Sequence, residues 1–84
     1  MRAFVHRRVH ARHPGIEDAD ALAAFKATIR FVRRPNGQGG AAGLDGRGRL
    51  LEMEYAVNEA ENEFLIFHAF TRPTSNVLGE LGLS

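Results

Sequence analysis

Four polar residues interrupt runs that otherwise read as strand: Glu52 and Glu54 within Arg49–Val57, and His68 and Arg72 at the end of Glu63–Phe70 and just beyond it. An imidazole beside a carboxylate forms an acid–base pair, because histidine exchanges its proton near neutrality and the carboxylate orients the ring. A guanidinium nearby would clamp a phosphate through two parallel hydrogen bonds. These parts match RNA cleavage without a metal. That reaction needs a base for the 2′-hydroxyl, an acid for the leaving 5′-oxygen and cations for the charge on phosphorus. The plainer alternative is a cross-strand Glu–His contact that satisfies two polar groups on a half-exposed sheet face. Ligand binding without chemistry is a third reading.

Three strands have to position these groups, at Ala41–Leu44, Arg49–Val57 and Glu63–Phe70. Asp45-Gly46-Arg47-Gly48 reads as a tight hairpin turn and Asn58–Asn62 as a looser one. Alternation puts Leu51, Met53, Tyr55 and Val57 on one face of the middle strand, and Leu50, Glu52, Glu54 and Ala56 on the other. A five-residue second loop sets Tyr55 opposite Leu65, Met53 opposite Phe67 and Glu52 opposite His68. A two-residue first loop sets Gly43 opposite Leu50 and Ala41 opposite Glu52. The second face then becomes a shallow polar cleft, which a one-residue slip would dismantle. Phe70, if it shares the side of His68, could stack a nucleobase, although core or dimer packing competes for it.

Before the strands, Met1, Phe4, Val5 and Val9 make a helical stripe over residues 2–12, with a strand through Val5, Arg7 and Val9 as the other reading. From Glu17 to Arg34 the spacing of Leu22, Phe25, Ile29 and Val32 predicts a second helix, acidic at its start and basic at its end. Pro35 stops it, and Asn36–Gly40 reads as a mobile loop. That loop follows a helix and no Gly-Lys-Ser/Thr follows it, so it is not a phosphate-binding loop. Residues 75–83 read as a short helix that caps the sheet, packs on a second subunit or frays. The expected architecture is α+β: two N-terminal helices packed on one face of a small antiparallel three- to four-stranded sheet, with a short C-terminal helix.

Composition sets wider bounds. The 84 residues fit a single domain, and 44% hydrophobic with 25% charged content is ordinary for a globular protein. The chain has no cysteine, which excludes disulfides and thiolate metal sites and fits a reducing compartment. No apolar run approaches the roughly 20 residues of a membrane span, and a cytoplasmic location is expected. Net charge is only +1, yet residues 1–49 hold ten of the eleven Lys and Arg and four of the ten acids. A segregated basic half suits phosphates or an acidic partner; a solvated helix face is the alternative. His6, His10 and His13 could ligate a metal from one helix face, but no carboxylate accompanies them, and no metal or cofactor is assigned.

The segments His13-Pro14-Gly15-Ile16, Ala19-Asp20-Ala21, Gly43-Leu44-Asp45, Gly48-Arg49-Leu50-Leu51-Glu52 and Ile66-Phe67-His68-Ala69-Phe70, followed by Arg72, resemble BrnT-like members of the RelE/ParE toxin superfamily. The resemblance covers most of the chain as an order of elements, through short motifs. It implies a messenger-RNA endonuclease paired with an antitoxin that covers its active face. Under it His68, Arg72, Glu52 and His13 are the catalytic candidates. Arg7, His10, Arg30, Arg33 and Arg49 are the cations expected to hold RNA. The partners expected are a cognate antitoxin, RNA and a second copy of the chain, with no membrane. The alternative function is a non-enzymatic interaction module. It predicts an apolar patch of Leu50, Ile66 and Phe70 where the enzyme requires convergence of His68, Glu52 and Arg72.

Overall fold

The computed structural model describes residues 1–83. The chain runs β1 (Arg2–Val5), α1 (Arg8–Arg12), α2 (Asp18–Lys26), β2 (Thr28–Arg33), β3 (Gln38–Leu44), β4 (Leu50–Asn58), β5 (Glu63–Phe70) and α3 (Ser75–Glu80). All five strands form one sheet in the order β1-β5-β4-β3-β2. β1 lies parallel to β5, and the other neighbours are antiparallel.

This mixed five-stranded sheet corrects the expected layout of two N-terminal helices on an antiparallel sheet, at two places. Residues 2–5 form a strand because Phe4 and Val5 pair with Leu65 and Ile66 of β5, leaving only Arg8–Arg12 helical. Of the supposed stripe, Val9 is buried, whereas Met1 and Phe4 are exposed. The long second helix stops at Lys26. Beyond it, Thr28, Ile29, Phe31 and Val32 are β-branched or aromatic and gain more from pairing with β3 than from another helical turn. Gln38–Gly40, expected as loop, belongs to β3.

Helix α2 starts on a reciprocal cap, with the Glu17 N–H donating to Asp20 Oδ2 at 2.8 Å. Its Ala21 and Ala24 are fully buried against the strand side of the core, which also holds Val9, Ile16, Leu51, Met53, Tyr55, Ile66 and Ala69. Small residues on both elements permit this close approach. A Cβ placed on Gly43 would lie 2.0 Å from the Ala24 carbonyl oxygen.

Both hairpin registers differ from expectation. The β3–β4 turn spans five residues, so Ala42 faces Glu52 and Gly43 faces Leu51. The buried Asp45 carboxylate stretches the turn by accepting from the N–H groups of Arg47 (2.9 Å) and Arg49 (2.8 Å) and from Arg49 Nε (2.7 Å). In the β4–β5 pair Glu52 faces Phe70, Glu54 faces His68 and Tyr55 faces Ile66, with a bulge that leaves Phe67 unpaired. The pairings of Glu52 with His68, Met53 with Phe67 and Tyr55 with Leu65 therefore do not occur. The polar face survives all the same. At Glu52 the β5 register moves by two residues, which restores the same side, and on β3 the slip exchanges one alanine for another.

Candidate functional site

Glu52, Glu54, His68 and Phe70 lie together on the sheet face away from α2, beside Gly40 and Ala42 of β3. His68 Nε2 sits 2.8 Å from Glu52 Oε2. A carboxylate oxygen accepts, so Nε2–H donates in this contact, and Nδ1 is the ring nitrogen left free of it. The second oxygen, Glu52 Oε1, accepts from the Thr74 N–H at 2.7 Å. The Glu52 side chain is 5% exposed and that of His68 27%. One end of the pair is thus sealed and the other opens to solvent.

Sealing comes from the chain after β5. Thr71 Oγ1 donates to the Leu50 carbonyl at 2.9 Å, Pro73 is buried, and Thr74 caps the short α3. Glu80 at the end of α3 takes both Arg34 Nε (3.0 Å) and Nη2 (2.8 Å), and Arg34 also reaches Glu54 at 3.1 Å. Gly40 makes room for this, since a Cβ there would stand 2.8 Å from the Arg34 guanidinium. Hydrogen bonding to Glu80 raises the Arg34 pKa, and the same contact lowers that of Glu80. Part of the face expected to await a partner is therefore covered by the protein's own C-terminal segment.

His13 reaches the open end. It caps the C-terminus of α1, with its ring centroid 4.7 Å from Phe70 and 6.1 Å from His68. Topology explains the approach. β1 pairs with β5 only as far as Ile66, and α1 then runs beside the remaining half of β5, with Arg8 Nε donating to the Phe67 carbonyl at 3.1 Å. A groove of ≈ 250 Å³ opens here between Arg12, His13, Arg49, Phe70 and Thr71.

Of the four catalytic candidates, the structure gathers His68, Glu52 and His13. Arg72 is exposed and makes no hydrogen bond or ion pair to a described residue. The RNA-binding candidates are dispersed. Arg30 and Arg33 lie on β2, separated from β5 by two strands, which is roughly 14 Å at the usual spacing. Arg33 pairs with Glu59 at 2.6 Å. Arg49 borders the groove but is tied to Asp45, Asp20 and the Gly15 carbonyl. His10 Nδ1 bonds the Ile16 carbonyl at 3.0 Å, and Arg7 is exposed at the start of α1. The histidine stripe is likewise divided, with His6 Nδ1 accepting from the Arg8 N–H at 3.1 Å. The apolar patch of the alternative reading does not form, because Ile66 is buried in the core on the opposite face and Phe70 stacks on His13.

Sequence reasoning missed Arg34 as the bridge to α3, Thr74 as the second partner of Glu52, and Arg12 as a groove cation. Arg12 adjoins His13 in an acid-free segment, which was the available signal. Arg34 and Thr74 depend on contacts across distant residues and left none. Among the described residues no helix is long and apolar enough to cross a membrane. Comparison of the chain with family models, curated proteins and solved structures gave no match.

Proposed function

We propose that the protein is a metal-independent endoribonuclease, the toxin-like member of a pair in which a second protein restrains it. The observation that carries this reading is the His68–Glu52 hydrogen bond of 2.8 Å with a second imidazole, His13, 6.1 Å from the His68 ring. Two imidazoles set edge-on at the open end of the pair suit a reaction that takes one proton and gives another.

In this scheme His68 Nδ1 removes the proton of an RNA 2′-hydroxyl, while Glu52 fixes the ring through Nε2–H. The 2′-oxygen forms a bond to phosphorus as the bond to the 5′-oxygen breaks. His13, in its imidazolium form, protonates that leaving oxygen. The products are a 2′,3′-cyclic phosphate and a free 5′-hydroxyl, with no metal or redox partner required. Arg12 and the exposed Arg72 supply positive charge for the phosphate, and Phe70 offers a ring against which a base can stack.

The test uses purified protein and single-stranded RNA in excess chelator, comparing the native chain with His68→Ala and His13→Ala. Both substitutions should abolish cleavage while circular dichroism stays native. Cleavage that persists in both variants, or no cleavage by the native chain, overturns the reading.

A further inference from the structure

On the opposite side of the sheet from His68, beside the C-terminal end of α2, lies a cleft of ≈ 540 Å³ walled by Met1, Phe25, Phe31, Tyr55 and Phe64, with Arg33 at its rim. Phe31 is 65% and Met1 63% exposed, so this wall is apolar surface left in contact with water. The cleft borders β2, the last strand of the sheet. The outward N–H and C=O groups of β2 have no strand partner among the described residues. From Ala21 through Leu44 the chain contains no acid, and it carries Lys26, Arg30, Arg33 and Arg34.

From these features we infer that β2 and its cleft bind an extended, acidic and partly apolar segment of another protein. The strand edge supplies main-chain hydrogen bonds, the cleft takes an apolar side chain over Phe31, and carboxylates at the alternate positions, on the other side of the added strand, meet Arg30. A second copy is a poor occupant. Two β2 strands related by a two-fold axis would bring together two edges that carry arginines and no acid, and a head-to-tail contact would not close. RNA is also disfavoured, because Arg34 is held by Glu54 and Glu80 and Arg33 by Glu59, leaving too few free cations to follow a phosphate backbone. The inference does not depend on RNA cleavage, since the cleft lies on the face opposite His68 and β2 is separated from β5 by two strands.

The probe is a synthetic peptide of alternating valine and glutamate, with its valine–lysine counterpart as control, titrated into the full chain while backbone amide resonances are followed. The acidic peptide should shift the amides of Thr28–Arg33 and those around Phe25 and Phe64. Phe31→Ser and Arg30→Glu, both at exposed positions, should each weaken it by at least about tenfold with the rest of the amide spectrum unchanged. Each of these results overturns the inference: no binding of the acidic peptide, equal binding of the lysine peptide, shifts confined to other elements, or stronger perturbation of β2 by a single-stranded RNA. Self-association of the native chain that Phe31→Ser abolishes also overturns it, by making the occupant a second copy.

Discussion

Glu52 joins the candidate site to the C-terminal segment, and a double-mutant cycle can measure that link. Its carboxylate serves His68 at 2.8 Å and the Thr74 N–H at 2.7 Å. In Glu52→Gln the single carbonyl oxygen can accept from one of these donors. The other bond is lost, and the one retained is weaker without the charge. At about 1.5–3 kcal/mol for a hydrogen bond to a charged group and about 1 for a neutral one, exchanging two of the first for one of the second should cost about 2–5 kcal/mol. In His68→Ala, Glu52 Oε2 loses its partner, but the His68 position is 27% exposed and water can replace the ring. That cost should be about 1–2 kcal/mol. Removing both should cost less than the sum, with a coupling of about 1 kcal/mol. Urea denaturation followed by circular dichroism resolves this, provided the slopes agree among the four proteins. Additivity within about 0.3 kcal/mol would refute the view that these side chains form an energetic pair.

Gly43→Ala should be among the most damaging small substitutions, since its methyl group would stand 2.0 Å from the Ala24 carbonyl oxygen, a backbone atom that cannot rotate away. We expect a loss of about 2–3 kcal/mol by urea denaturation. Gly46→Ala, with nothing within 4 Å of the new atom, should stay within about 0.5 kcal/mol. A Gly43→Ala protein as stable as native would contradict the close seating of α2 on β3. Acid should weaken the fold through Asp45 and Asp20. For Asp45 burial raises the pKa, but hydrogen bonds from the Arg49 N–H, its guanidinium and the Arg47 N–H outweigh that and leave it lowered. For Asp20 the Arg47 side chain is the chief cause of the lowering. The unfolded chain therefore takes up these protons first. Their stabilisation is complete above an unfolded value of about 3.9 and is lost as pH falls through the lower folded values. The urea midpoint should fall below about pH 4, and less steeply in Asp45→Asn; an unchanged acid slope in that variant would contradict the assignment.

The sequence was most legible where local pattern and tertiary packing agree. Alternation along Leu50–Val57 and Glu63–Phe70 located β4 and β5, and it correctly put Glu52, Glu54 and His68 on one side. The pattern misled at Ile29 and Val32, whose spacing suits a helix while their β-branched side chains and the available edge of β3 suit a strand. Residues 2–5 gave no local hint of pairing with a strand some sixty residues away. The turn residue Asp45 was recognised, but not that its buried carboxylate would lengthen the turn. At the site, the Glu52–His68 pair was legible because it needs only the face of the strands. The approach of His13 was not, because it follows from where β1 leaves β5. The closure by Thr74 and by Glu80 on Arg34 depends on residues 73–80 folding back, which short-range periodicity does not encode.

The chemical identity of the RNA ends produced by the native chain in excess chelator tests the central claim most directly. An imidazole acting on the 2′-hydroxyl yields a 2′,3′-cyclic phosphate and a 5′-hydroxyl, and His68→Ala should yield neither. Fragments ending in 3′-hydroxyl and 5′-phosphate, or cyclic phosphate formed equally by His68→Ala, would contradict the account.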